Sequence, residues 1–331
     1  MTPPSRSAPG YLERHRWRLP RCLFTSGLVL LALLCLLGCA DAATAAEYTV
    51  NSTGDQIDEA VGSGGCKTAV ATCTLRAAIE ESNASVGVND MIKFSPSFNG
   101  QIDDTIELAT PLPTITDRVR VEGFPTPLQC ETDYFEFPGP CVGINGPPGG
   151  TAFSVEAERV ILIGFAISGA ETAIEAVGAP GLETWNDWFG IKLDGSAGPI
   201  ETGISIDQNS NGADIGGASS VARDIFAHNS NVAVDINGAN AVTVRGNGFG
   251  VFPDGNTLAA NGKNIEITDA ATGDNRVAKG NWIGGTLTDE ELASSTCDGE
   301  CNVISGYAFR GSKGFGRRRR SYGVWPGHGA R

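Results

Sequence analysis

The sequence predicts an all-β protein, a right-handed parallel β-helix with an N-terminal capping helix, and three observations predict it. Glycine occurs 44 times in 331 residues without a collagen-like period, while 41% of residues are hydrophobic. That combination suits short strands joined by tight turns. From about residue 104 to 306, short stretches of alternating polarity are separated by Gly, Asn and Asp. Internal similarity recurs at the length of one solenoid turn. Ala233-Val234-Asp235-Ile236-Asn237 resembles Asn264-Ile265-Glu266-Ile267-Thr268, and Val244 to Gly250 resembles Ala278 to Gly284, each a coil-sized step further along the chain. A β-sandwich or propeller is the rival architecture. Strands broken at glycine corners and a coil-sized repeat favour the solenoid.

Residues 1–46 read as an export signal. Arg14, Arg16, Arg18 and Arg21 precede an apolar run from Leu23 to Leu37, and small residues follow. The run is shorter than the roughly 20 residues that span a bilayer. Cleavage after Ala42 and after Ala45 both fit. Leu36-Leu37-Gly38-Cys39 also fits a lipoprotein box with Cys39 as the acylated residue, and an uncleaved anchor is the third alternative. The expected location is outside the cytoplasm, in the extracellular space or on the cell surface at the outer membrane, lipid-anchored if Cys39 is acylated.

Beyond Cys22, Cys35 and Cys39 of the signal, six cysteines form local couples: Cys66/Cys73, Cys130/Cys141 and Cys297/Cys301. Even, short-range couples in an exported chain suit disulfides. Zinc is the rival, but the only histidines are His15, His228 and His328, and none lies near a couple. No metal site and no cofactor is expected.

After the strand beginning at Tyr48, the segment Cys73 to Ala84 reads as a helix. Thr74 can cap it, Leu75, Ala78 and Ile79 form its apolar stripe, and Asn83 can help end it. The end of a stacked-strand solenoid exposes unpaired backbone and apolar core, and such a helix covers both. The strand, the Cys66/Cys73 couple and Cys73-Thr74-Leu75-Arg76-Ala77-Ala78-Ile79 resemble the CSLREA domain, an N-terminal module of exported bacterial β-helix proteins. Thr74 stands for Ser and Ala77 for Glu in the namesake motif. The resemblance extends over 47–125 through Met91-Ile92-Lys93-Phe94, Thr105-Ile106-Glu107-Leu108 and Leu112-Pro113-Thr114-Ile115. It implies pectate-lyase-like β-helix repeats to follow, over 126–306, and implies no activity.

Within those repeats Val119 to Gly123 and the apolar run Val160 to Ile167 each read as one strand. Ile204/Ile206, Val234/Ile236 and Ile265/Ile267 are placed to fill a shared core, and Asp214-Ile215-Gly216-Gly217 echoes Ile283-Gly284-Gly285. Asn at corners tolerates left-handed backbone and can ladder with Asn one coil away.

Candidate chemistry rests on two outward ladders. Asp235 and Glu266 occupy equivalent places one coil apart, and neighbouring strands lie about 4.8 Å apart. That approaches the roughly 5 Å carboxyl spacing of a retaining glycosidase. Arg245 and Lys279 are expected to stack likewise, and a desolvated base beside calcium would suit a lyase. The plainer reading is a solvated polar face, since solenoids stack like on like. The acidic turn Asp269 to Asp274 is where calcium would find ligands, although the ordered spacing of a dedicated loop is absent. Trp185 and Trp188 could form a sugar platform or pack a loop. Gly327-His328-Gly329 matches a polygalacturonase tripeptide without its acidic companions, so chance explains it.

Charge bounds the partners. Residues 1–46 carry five Arg against two acids, and residues 307–331 carry seven Lys+Arg and no acid. Residues 47–306 are left with 12 basic and 36 acidic residues. So acidic a domain repels nucleic acid and anionic membrane, which confines membrane contact to the signal segment or a lipid anchor. The basic tail at 307–331 breaks the repeat pattern and reads as disordered, either a frame change that truncates the solenoid or a genuine extension. The expected function is non-catalytic, adhesion or envelope structure with a polysaccharide or cell-surface partner; the alternative is a polysaccharide lyase or glycoside hydrolase.

Overall fold

The computed structural model describes residues 44–125, 130, 139–255, 257–269, 278–285, 299–305, 310–311 and 324–326. It is a parallel β-helix: each full coil gives one strand to each of three sheets, and every pairing within the sheets is parallel. The first coil has β1 (Glu47–Val50) and, in place of further strands, α1 (Leu75–Ala84). The second has β2 (Asp90–Phe94), β3 (Thr105–Glu107) and a bridge from Ile115 to Val155. Complete triplets follow. They are β4 (Val119–Glu122), β5 (Val142–Asn145), β6 (Thr151–Val155); β7 (Ile161–Ile163), β8 (Phe165–Ser168), β9 (Thr172–Ala176); and β10 (Glu183–Trp185), β11 (Trp188–Phe189), β12 (Ile200–Ile206). Next come β13 (Asp214–Gly216), β14 (Ile225–Phe226), β15 (Asn229–Asn237); then β16 (Thr243–Arg245), β17 (Gly248–Phe249), β18 (Ile265–Thr268). The last is β19 (Trp282–Ile283), β20 (Asn302–Ile304), β21 (Arg310–Gly311), and β22 (Val324–Pro326) pairs with β20 in the second sheet. The remainder of the tail, with Gly327-His328-Gly329, lies outside the described residues, as does the signal segment with Cys39.

Alternate side chains point into one continuous core. Ile204, Val234 and Ile265 stack in the third sheet, with Ile206, Ile236 and Ile267 beside them, and all are buried. In the second sheet the inward column becomes aromatic. Phe189, Phe226 and Phe249 stack face to face, with ring centroids 4.5 and 4.8 Å apart and planes 6° apart. Such pairs add about 0.5–1.5 kcal/mol each beyond burial.

The run Val160–Ile167, expected as one strand, is two. Gly164 (φ +80°) turns the chain between β7 and β8, which belong to different sheets. A residue with Cβ is strained there, and the added atom would lie 2.5 Å from Phe124. The run is apolar because the residues around a tight corner between two packed sheets are buried on either face.

The helix forms and covers the first coils as expected. The Thr74 hydroxyl accepts the Ala77 N–H at 3.1 Å, and Leu75, Ala78 and Ile79 join the core. Asn83 does not end the helix; its side chain donates to the Thr114 carbonyl and accepts the Thr116 N–H. Arg76 lies behind the helix against both carboxylate oxygens of Asp55, at 2.9 Å, and donates to the carbonyls of Thr110 and Pro111. Cys66–Cys73 and Cys130–Cys141 are disulfides, with Cα atoms 5.2 and 5.4 Å apart. Cys301 is also disulfide-bonded, and Cys297 lies outside the described residues.

Candidate functional site

The third sheet carries the first candidate ladder on its outer face. β15 and β18 pair so that Asp235 lies directly beside Glu266, with Ser205 on the other side of Asp235. Their neighbours in sequence, Val234, Ile236, Ile265 and Ile267, are anchored in the core, which fixes both carboxylates outward. Partial burial, then the Glu266 charge, raise the Asp235 pKa, and Lys263 offsets part of that. Lys263 Nζ lies 2.6 Å from Glu266, so this carboxylate already has its cation.

Arg245 and Lys279 do not stack. Thr243 and Val244 register with Trp282 and Ile283, so Lys279 falls before the paired stretch and Arg245 beyond it. The similarity of Gly246-Asn247 to Gly280-Asn281 has a different origin. Asn281 serves an earlier corner, where it accepts the Val242 N–H and donates to the Ala239 carbonyl, and the backbone of Lys279 bonds to Asn240 and Ala241. Arg245 is instead held between Asp214 at 2.9 Å and Glu300 at 2.8 Å. These two hydrogen-bonded carboxylates, Asp214 first, raise its pKa further. The echo of Asp214–Gly217 in Ile283–Gly285 does reflect structure, since Ile215, Val244 and Ile283 form one column.

The most perturbed acids lie inside the solenoid, at the corner between the first and second sheets. Asp187, Asp224, Asn247 and Asn302 occur once per coil there. The side chain of each accepts a backbone N–H from the coil before: Phe165 at 2.7 Å, Asp187 at 2.9 Å, Asp224 at 3.1 Å and Asn247 at 2.9 Å. The amides of Asn247 and Asn302 also donate to the carbonyls of Ile215 and Val244. The aspartates have no such donor when ionised. Asp224 Oδ2 receives the Thr184 hydroxyl at 2.7 Å, whereas Asp187 Oδ2 has no hydrogen-bond partner among the described residues. Burial, then the Asp224 charge, raise the Asp187 pKa well above the carboxylate range, and burial pushes that of Asp224 up to about 7. Sequence reasoning passed over this pair. The available signal is an Asp or Asn immediately before the second-sheet strand in successive coils, at 187, 224 and 247.

Trp185 and Trp188 do not form a platform. Trp188 is buried under Ile191 and Leu193, and Trp185 is half-buried beside Phe124 with the Arg120 guanidinium 5.6 Å above its ring. Among the described residues no group of three or more His, Cys, Asp or Glu side chains is placed to hold a metal. The turn after Asp269 lies outside them.

The outer face of the second sheet is organised differently. It is apolar at Ala166, Trp188, Ile225 and Ala227, and two hairpins fold over it, Gly190–Gly198 and Gly250–Ala259. Both follow the same text, Phe-Gly, three residues, Asp-Gly. Asp194 and Asp254 each accept the backbone N–H of a residue in the turn, Ser196 at 2.9 Å and Thr257 at 2.8 Å. Among the described residues the earlier coils carry no such hairpin, and a recess of about 210 Å³ lies there, lined by Thr105, Glu107, Gly143, Asn145, Ser168 and Lys192, among others.

Comparison of the chain with family models and with curated proteins returned no match.

Proposed function

We propose that this protein is an exported, non-catalytic β-helix that serves adhesion or envelope structure at the cell surface or in the extracellular space. One observation carries the reading: two of the outward charged candidates, Glu266 and Arg245, are already held in ion pairs. Glu266 is neutralised by Lys263, and Arg245 by Asp214 and Glu300. General acid–base catalysis needs a poised group within reach of substrate. The disulfides support an oxidising compartment. The test is incubation of the purified full chain with neutral and acidic polysaccharides, with and without calcium. The expected result is no released product.

A second reading, a glycoside hydrolase or polysaccharide lyase, is favoured by the raised pKa of Asp235, which lies directly beside Glu266 on the next coil. Product release abolished by Asp235→Asn or Glu266→Gln would establish it.

A further inference from the structure

The recess on the second sheet has a floor, two walls and a polar edge, each traceable to sequence. The floor is the outward column Thr105, Gly143 and Ala166, in which the side chains are short where the next two coils place Trp188 and Ile225. A Cβ at Gly143 would collide with Thr105 Oγ1, so the floor is already closely packed. Alongside runs a polar column, Glu107, Asn145 and Ser168, in register across β3, β5 and β8. Asn145 Nδ2 donates to Glu107 at 2.6 Å, which fixes the amide and leaves its Oδ1 turned toward Ser168 at 3.5 Å. One wall is Ile102, from the short turn before β3. The other is Lys192 and Leu193 on the first hairpin. Glu107 and Lys192 are exposed, so both reach solvent and ligand.

We propose that this recess binds one sugar unit of a neutral polysaccharide. Glu107 and Asn145 would accept from its hydroxyls, Lys192 would donate to them, and its apolar face would lie against the exposed Ile102. Carboxylate, amide, hydroxyl and ammonium together alternate acceptors and donors as a polyol does, and apolar walls match the C–H face of a pyranose. The recess is smaller than the roughly 300 Å³ at which sites for drug-sized ligands begin, which suits a single ring. Neutral rather than uronic units follow from charge: the chain carries a net −14, concentrated in 47–306, and Glu107 stands at the mouth. The proposal rests on the non-catalytic reading and supplies its point of contact.

The experiment is affinity electrophoresis of the full chain through gels containing a neutral glucan, mannan or galactan, or a uronate polymer, with product release assayed in parallel. Retention by at least one neutral polymer is expected. It should weaken at least tenfold in Glu107→Ala and in Lys192→Ala, and stay unchanged in Lys67→Ala, an exposed site remote in sequence from the recess. Both recess side chains are exposed, so the variants are expected to fold, which far-UV circular dichroism checks. No retention by any neutral polymer, retention only by uronate polymer, or retention indifferent to Glu107→Ala and Lys192→Ala would each overturn the proposal. Product release would sink the non-catalytic reading separately, since retention is scored by itself.

Discussion

Carboxylates are stacked one coil apart in two places, and the two stacks behave oppositely. Asp235 and Glu266 face outward on the third sheet, with a lysine at 2.6 Å from the second. Asp187 and Asp224 face inward at a corner, fully buried, and a backbone N–H from the preceding coil is the partner they share in kind. A perturbed acid is therefore not by itself a catalytic one. Here the larger perturbation belongs to the pair that holds coils together, because two carboxyls stand where neighbouring coils use asparagine.

The largest expected effect is on the pH dependence of stability. Both inward carboxyls have folded-state pKa values above their ordinary ones, so the folded state holds protons that the unfolded chain has released. Stability is therefore full below about pH 4 with respect to this pair and declines as pH rises toward 7, where Asp224 ionises in place. Denaturant titrations between pH 4 and 8, with the disulfides intact, should show a fall of roughly a few kcal/mol. A flat profile would mean that the pair is neutralised by something other than protonation. Next in size, the double variant Asp187→Asn/Asp224→Asn should gain most of that loss at pH 8 and flatten the profile, because amides supply the donors seen at Asn247 and Asn302. Asn247→Ala should cost about 1–3 kcal/mol at any pH, since it strands the Asp224 N–H and the Ile215 carbonyl inside the corner. Smallest of all, Asp235→Asn and Glu266→Gln should move stability by no more than about 0.5 kcal/mol, as expected of half-exposed surface charges. A large loss there would erase the contrast between the two stacks.

Much of the fold was legible in the sequence because its core obeys a simple period. Ile204/Ile206, Val234/Ile236 and Ile265/Ile267 alternate, and they fill the core as the pattern requires. The Asp235–Glu266 register was legible for the same reason, as strands with matching alternation stack without a shift. Other features were not. The corner at Gly164 hides inside an apolar run, because residues on both sides of it are buried. The alignment of Arg245 with Lys279 failed because Gly-Asn marks more than one corner of the coil, so similar text sits at different angular positions. The ladder at 187, 224 and 247 escaped because Asp at a turn ordinarily reads as a solvated turn residue, and only the coil geometry turns it inward. The recess was out of reach for a further reason: it depends on which short side chains, Thr105, Gly143 and Ala166, fall in one column across three coils, and no motif marks that register.

The two hairpins on the second sheet show how this architecture grows. Each leaves the coil just after a Phe-Gly pair and returns to the carbonyl of the same glycine, Gly198 N–H to Gly190 and Ala259 N–H to Gly250, both at 2.9 Å. The excursion is thus closed at its base before the next strand begins, and the stack above and below is indifferent to its length. The second hairpin is already slightly longer than the first, with no break in the Phe189–Phe226–Phe249 column. Such a base is a socket: foreign sequence spliced in after Gly195 or Gly255 would be carried on the outside of the solenoid as cargo, at a fixed height along its axis.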